Sequence, residues 1–103
     1  MKEQTILSKE LIKQSLVDNR ETLQKYGVKR IGLFGSYVRG TATAGSDIDF
    51  IVELERLTLR DYMGLALFLE DLFKKDVDLI TATSIKPRLK SYIEKEIEYV
   101  TNL

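Results

Sequence analysis

The chain has 103 residues, 44% of them apolar, and its 16 Lys plus Arg are matched by 16 Asp plus Glu. That length suits one domain around one modest core, and the even charge leaves no net field to draw in a nucleic acid, so direct nucleic-acid binding is not expected. There is no cysteine and no histidine, which excludes disulfides, thiolate or imidazole metal sites and Ser–His catalysis, and leaves chemistry to carboxylates, hydroxyls, Lys, Arg and Tyr acting with hard cations, magnesium above all.

Ser8 is placed to cap a first helix running to about Tyr26, with Ile12, Leu16 and Leu23 on its inner face and Leu11 beside them; Gly27 then supplies a left-handed stop. Val28 to Phe34 has the length of a strand, and Gly32 within it permits close approach of backbone or ligand. Ser36 to about Arg39 reads as one helical turn, and Gly40 to Ser46, small and polar, as a loop. Asp47 to Leu54 alternates: Ile48, Phe50, Val52 and Leu54 face one way, Asp47, Asp49, Ile51 and Glu53 the other. Thr58 caps a longer helix, with Asp61 at the capping-box position; Leu65, Phe68, Leu69 and Leu72 keep the helical period, and Lys74 and Lys75 suit its C-terminal dipole. Asp76 to Thr81 is a third strand, Ser84 or the Lys86–Pro87 step opens a last helix, and Glu98 to Thr101 is a candidate terminal strand.

The order is α-β-α-β-α-β-α, counting the single turn at Ser36: an α+β fold with a small mixed β-sheet and helices mainly on one face. The long helix is a crossover, so the second and third strands are expected to be parallel; the short link between the first two favours an antiparallel pair. Residues 1–103 read as one domain without repeat, low-complexity tract or linker. No apolar run approaches the roughly 20 residues of a membrane span, and Met1-Lys2-Glu3-Gln4-Thr5 leads into no signal-type segment, so no membrane association and a cytoplasmic location are expected.

The chemistry gathers around two stretches. Gly35-Ser36, between a strand and a helical turn, can aim backbone N–H groups and a hydroxyl at an anion. Ten residues further on, Asp47 and Asp49 share a strand face about 6.6 Å apart at Cα, close enough to converge on cations. Alternation in the third strand puts Asp76 and Asp78 on one face, and Asp78 can join the pair if the two strands are parallel neighbours; Asp76, at the strand start after Lys74-Lys75, is its competitor. Such clustered carboxylates call for cations, and two magnesium ions about 4 Å apart would clamp attacking and leaving oxygens. Arg39 is placed either to grip a phosphate or to pair with an acid; Ser46 either caps the turn before the strand or contacts phosphate or substrate. Lys86, Arg88, Lys90 and Lys95 make the last helix basic, as a solvated face, a docking surface or a grip on nucleotide.

Gly-Ser, ten residues, Asp-x-Asp on a strand and a distal strand acid resemble the nucleotidyltransferase superfamily that includes DNA polymerase beta and kanamycin nucleotidyltransferase. Gly35-Ser36-Tyr37-Val38-Arg39-Gly40 with Ser46-Asp47-Ile48-Asp49, and Val77-Asp78-Leu79-Ile80-Thr81 later, resemble more closely the minimal nucleotidyltransferases of bacteria and archaea, over nearly the whole chain. Asp76 stands where those proteins commonly carry a basic residue. The resemblance implies the polymerase beta-like fold, a triphosphate held by Gly35 and Ser36, metal ligation by Asp47 and Asp49, and Asp78 as third acid beside the attacking hydroxyl. It matches Arg39 and Ser46 to positions often kept in the group. It also implies two Mg2+ ions, a nucleoside triphosphate donor, ATP, and a HEPN-domain toxin as partner, whose tyrosine receives AMP, the pair acting as toxin and antitoxin. Two other functions stay compatible with the sequence: an antitoxin that neutralises by binding alone, and transfer to a small molecule, for which no acceptor domain is present.

Overall fold

The computed structural model describes residues 7–101 and 103. Helices α1 (Lys9–Asp18) and α2 (Arg20–Lys25) precede strand β1 (Val28–Phe34); the short helix α3 (Ser36–Arg39) leads through a loop to β2 (Ile48–Leu54). The long helix α4 (Leu59–Phe73) crosses to β3 (Val77–Thr81), and a 3-10 turn, Ala82–Ser84, connects to helix α5 (Pro87–Glu96) and strand β4 (Glu98–Tyr99). The sheet order is β3-β2-β1-β4, with β2 and β3 parallel and the other pairs antiparallel, as the crossover and the short link require.

The first helical stretch is broken where one helix was expected. Asn19 turns its side-chain amide back onto the Ser15 carbonyl at 2.8 Å, a local bond that competes with the helix ladder and ends α1. Ser8 and Thr58 cap their helices as expected, accepting from the Leu11 and Asp61 amides. Leu11, expected beside the inner face, is instead half exposed, because the buried stripe runs through Ile12 and Leu16. Lys74 takes the left-handed C-cap of α4, φ 54.

The helix-facing side of the sheet presents Ile31, Leu33, Ile48, Phe50, Val52, Leu79 and Val100 to Ile12, Leu16, Leu23, Leu65, Leu69 and Phe73. A fully buried aliphatic or Phe side chain contributes about 1.5–3 kcal/mol, against roughly 0.2–1 kcal/mol for an exposed ion pair, so this layer holds the helices to the sheet. The opposite side carries Gly32, Asp49, Ile51 and Asp78, and it is not purely polar. Ile51 is 1% exposed, and the Ile97 side chain lies over Gly32, where a Cβ would stand 2.7 Å from Ile97 Cγ2. The chain leaving α5 therefore crosses this second side, a placement that helices on one face did not anticipate.

Strand β4 is short and is fastened by charge. Glu98 accepts from Lys13 Nζ at 2.6 Å and from Lys9 Nζ at 2.8 Å, tying the edge strand to α1. The Lys13 and Lys9 ammonium groups hold the Glu98 carboxyl below its ordinary pKa of 4.5. Because the folded value is depressed, this stabilisation is present above the ordinary glutamate pKa and is lost as pH falls through the folded one. Thermal melts of the parent and Glu98→Gln should therefore differ at neutral pH, the parent melting higher, and converge as acidification protonates Glu98 in the folded state; a gap that widens on acidification would contradict this.

Candidate active site

β1 ends at Phe34, and its antiparallel register sets Phe34 opposite Asp49, while the parallel register sets Asp49 opposite Asp78. Partners in register share a sheet face, so Asp49 and Asp78 point the same way from neighbouring strands. The next residue, Gly35, turns the chain out of the sheet with φ 81 and ψ −149, a region essentially open to glycine alone. It is also the residue against which the Asp49 carboxylate packs: a Cβ on Gly35 would overlap Asp49 Oδ2. The phosphate-cradle candidate and the strand carboxylate are thus in contact, and the glycine is needed both for its backbone and for its missing side chain.

Ser36 opens α3 and is half-buried. The Gly35 amide and the Arg39 guanidinium, one helical turn apart, meet one carboxylate. Glu96, at the end of α5, accepts from Gly35 N–H at 3.2 Å through Oε1 and from Arg39 Nη1 at 3.0 Å through Oε2. Arg39 therefore does pair with an acid in this structure. These two bonds, the Arg39 contact first, hold the Glu96 carboxyl below its ordinary range. Nothing in the sequence pattern pointed to Glu96. It lies 61 residues from Gly35 and ends a helix whose basic residues drew attention instead; Lys86, Arg88, Lys90 and Lys95 are all exposed.

Asp47 and Ser46 occupy less regular ground. Asp47 was expected inside the strand, but β2 begins at Ile48 and Asp47 is exposed at the end of the loop. Ser46 Oγ accepts from the Thr43 amide at 2.8 Å, and its own amide donates to the Thr43 carbonyl at 3.0 Å, so its hydroxyl closes the loop turn. Lys75 Nζ donates to the Ala44 carbonyl and holds the same loop against the start of β3. Asp76 precedes β3 and gives its carbonyl to the Ile48 amide at 3.1 Å; with Asp47, Ser46 and Lys75 it lines an open hollow of about 460 Å³. Asp78, inside β3, is the acid that faces Asp49.

The electrostatics favour a cation. Burial, and then the negative charges of Asp78 and Asp47, push the Asp49 carboxyl up from its ordinary value, while Arg39 pulls it down. Among the described residues no three carboxylates stand close enough to hold a metal ion. Asp49 and Asp78 are aligned by the sheet, whereas Asp47 sits outside it, and without a cation like charges keep apart. The donor chemistry, carboxylate oxygen without nitrogen or sulfur, nonetheless fits a hard cation such as magnesium.

Residues 14–100 match the nucleotidyltransferase domain family. The chain is 38% identical over 82 residues to the protein adenylyltransferase MntA of Thermococcus cleftensis, covering 79% of this chain and 83% of that protein. It is 43% identical over 94 residues to a Methanocaldococcus jannaschii protein provisionally assigned as a protein adenylyltransferase, covering 86% and 94%. A solved structure assigned as a minimal nucleotidyltransferase matches with a TM-score of 0.78 at 29% identity, over 91% of this chain and 97% of that one. A chain of a toxin–antitoxin structure with AMP-PNP matches at 0.70 and 26%, over 88% and 73%. The fold is shared, at a TM-score of 0.61 and 23% identity over 88% and 73%, by a chain of the complex between a tri-AMPylated Shewanella oneidensis HEPN toxin and its MNT antitoxin.

Two glycines with nearly the same φ, Gly35 at 81 and Gly40 at 80, test the Asp49 contact, because a Cβ at Gly40 meets nothing within 4 Å. Gly40→Ala should cost only the left-handed penalty, about 1–2 kcal/mol. Gly35→Ala adds a glycine-only backbone and the overlap with Asp49, and should cost roughly 3 kcal/mol or more. Urea denaturation of both variants gives the comparison; equal losses would remove the role assigned to the contact.

Proposed function

The chain belongs to the nucleotidyltransferase domain family, and on that premise we propose that it is a magnesium-dependent protein adenylyltransferase, a single domain that moves AMP from ATP to a tyrosine hydroxyl of a HEPN toxin and acts as its antitoxin. The observation that carries this reading is the packing of Gly35 against Asp49, with Asp78 in register beside it. It supports a reading in which the Gly35 turn, a candidate phosphate cradle, stands directly beside paired carboxylates.

In this reading Gly35 and Ser36 hold the triphosphate through backbone N–H groups and the Ser36 hydroxyl, and Arg39 adds positive charge to the same group. Asp47, Asp49 and Asp78 would hold magnesium, which when bound neutralises the phosphate oxygens and stabilises attacking and leaving oxygens. Asp78, exposed on β3, lies on the acceptor side, where its carboxylate orients the incoming hydroxyl and takes its proton as the oxygen attacks the α-phosphate in line. Pyrophosphate leaves toward Gly35 and Ser36. With no histidine in the chain, a carboxylate is the base available at this position. Ser46 serves the site by shaping the loop that presents Asp47.

The relatives support the partner. Proteins 38% and 43% identical to this chain are assigned as protein adenylyltransferases, the second provisionally, and a toxin bearing three AMP groups accompanies an antitoxin in a complex of which one chain shares this fold. The catalytic face here is open, with Asp47 and Asp78 exposed, which suits an acceptor presented by another folded protein.

The test uses the double variant Asp47→Asn/Asp49→Asn. It should fold, since Ile48, Phe50 and Val52 carry the packing of β2, and removing two crowded charges relieves repulsion in the metal-free protein. Intact mass of the partner after incubation with ATP and magnesium should rise by adenylyl groups with the parent and remain unchanged with the variant, which should also fail to neutralise. Full neutralisation by the variant, with no mass added by the parent, would make the protein a binding antitoxin instead.

A further inference from the structure

The anion site at Gly35 already holds an anion that belongs to the chain. Glu96 Oε1 takes the Gly35 amide at 3.2 Å and Oε2 takes the Arg39 guanidinium at 3.0 Å. These are the two groups that the proposed function assigns to the donor's phosphates. One backbone N–H supplies one hydrogen, so it cannot serve Glu96 and a phosphate oxygen together at full strength. Charge works in the same direction: the Glu96 carboxylate is a further negative group beside Asp49 and faces the place where a triphosphate brings several more.

The segment that carries Glu96 is lightly held. No residue of α5 is buried, and Leu89 and Tyr92 are exposed. Beyond Glu96 the chain is fixed by Ile97 lying over Gly32 and by the pairing of β4 with β1, whereas the Glu96 side chain itself is held by its two bonds alone. Glu96 can therefore leave the site by a rotamer change of its side chain, with no buried contact to break.

Resting on the reading of Gly35 and Arg39 as phosphate-holding groups, we infer that Glu96 is an intramolecular competitor of the nucleotide, which occupies the phosphate position in the free protein and must be displaced before the donor binds. Glu96 thereby sets the affinity for the donor.

Titration calorimetry on the full chain tests this, with two probes in the presence of magnesium: inorganic pyrophosphate and an ATP analogue with a non-cleavable α–β bridge. Glu96→Ala and Glu96→Gln should bind both probes about 3- to 30-fold more tightly than the parent, the gain expected from removing one exposed ion pair and one amide bond that the ligand must otherwise break. Glu94→Gln, an exposed position on the same helix, changes net charge equally and should bind like the parent. Thermal melts confirm that each variant is folded. If the Glu96 variants bind no more tightly than the parent, or lose binding that the parent retains, the competitor role is overturned and Glu96 is a bystander or part of the binding site. An equal gain from Glu94→Gln would overturn it too, by reducing the effect to general charge. If parent and variants alike bind neither probe, the reading of Gly35 and Arg39 as phosphate-holding groups fails, and this inference fails with it.

Discussion

The close packing of the Asp49 carboxylate against Gly35 is the constraint on which the site depends. It requires a residue without a side chain at the end of β1 and a backbone that turns with φ 81, and it works only because the antiparallel register of β1 and β2 brings Phe34 level with Asp49. A slip of that register by one residue would turn Asp49 to the helix side and Ile48 or Phe50 to the open side. The aliphatic and aromatic layer on the helix side opposes that slip, since Ile48, Phe50 and Val52 would lose burial worth several kcal/mol together. The packing of the core therefore fixes which side of the sheet the Asp49 carboxylate faces.

The same sheet sets the crowding of charge. Asp49 and Asp78 are partners across β2 and β3, and burial first, then the charges of Asp78 and Asp47, push the Asp49 carboxyl up from its ordinary value. Proteins retain such unfavourable groupings at sites where a ligand relieves them. Arg39 supplies part of the relief, but its guanidinium is shared with Glu96.

The two ends of the open sheet face differ in character. At the Asp49 end the residues are acidic, Asp47 and Asp78 exposed and Asp49 half-buried. At the other end Arg30 stacks 3.9 Å above the Tyr99 ring and pairs with Glu53 at 3.0 Å, on the wall of a groove of about 440 Å³ that Ile51, Ile85 and Ile97 also line. Ile97 over Gly32 lies between them. The buried Ile51 belongs to this covered half, which is why alternation assigned its face correctly and still left its burial unforeseen.

The sequence by itself determined the fold class and the strand directions. Period-2 alternation in Ile48 to Leu54 and the helix-length crossover are local signals, and local signals survive without coordinates. Gly35 at the end of β1 and Asp49 on the side of β2 away from the helices were legible for the same reason, since a glycine at a strand end and alternation within a strand state their geometry within a few residues. Asn19 was less legible, because whether its amide bonds back to Ser15 is a contest that propensity does not settle. What only the tertiary structure decided is long in sequence separation: that Asp78, and not Asp76, lies level with Asp49, that Asp47 falls outside β2, that Ile97 covers Gly32, and above all that Glu96 reaches Gly35 and Arg39. Those contacts depend on where α5 comes to rest against the sheet. That position is set by packing and charge across some sixty residues of chain, for which no periodicity in the sequence carries a signal.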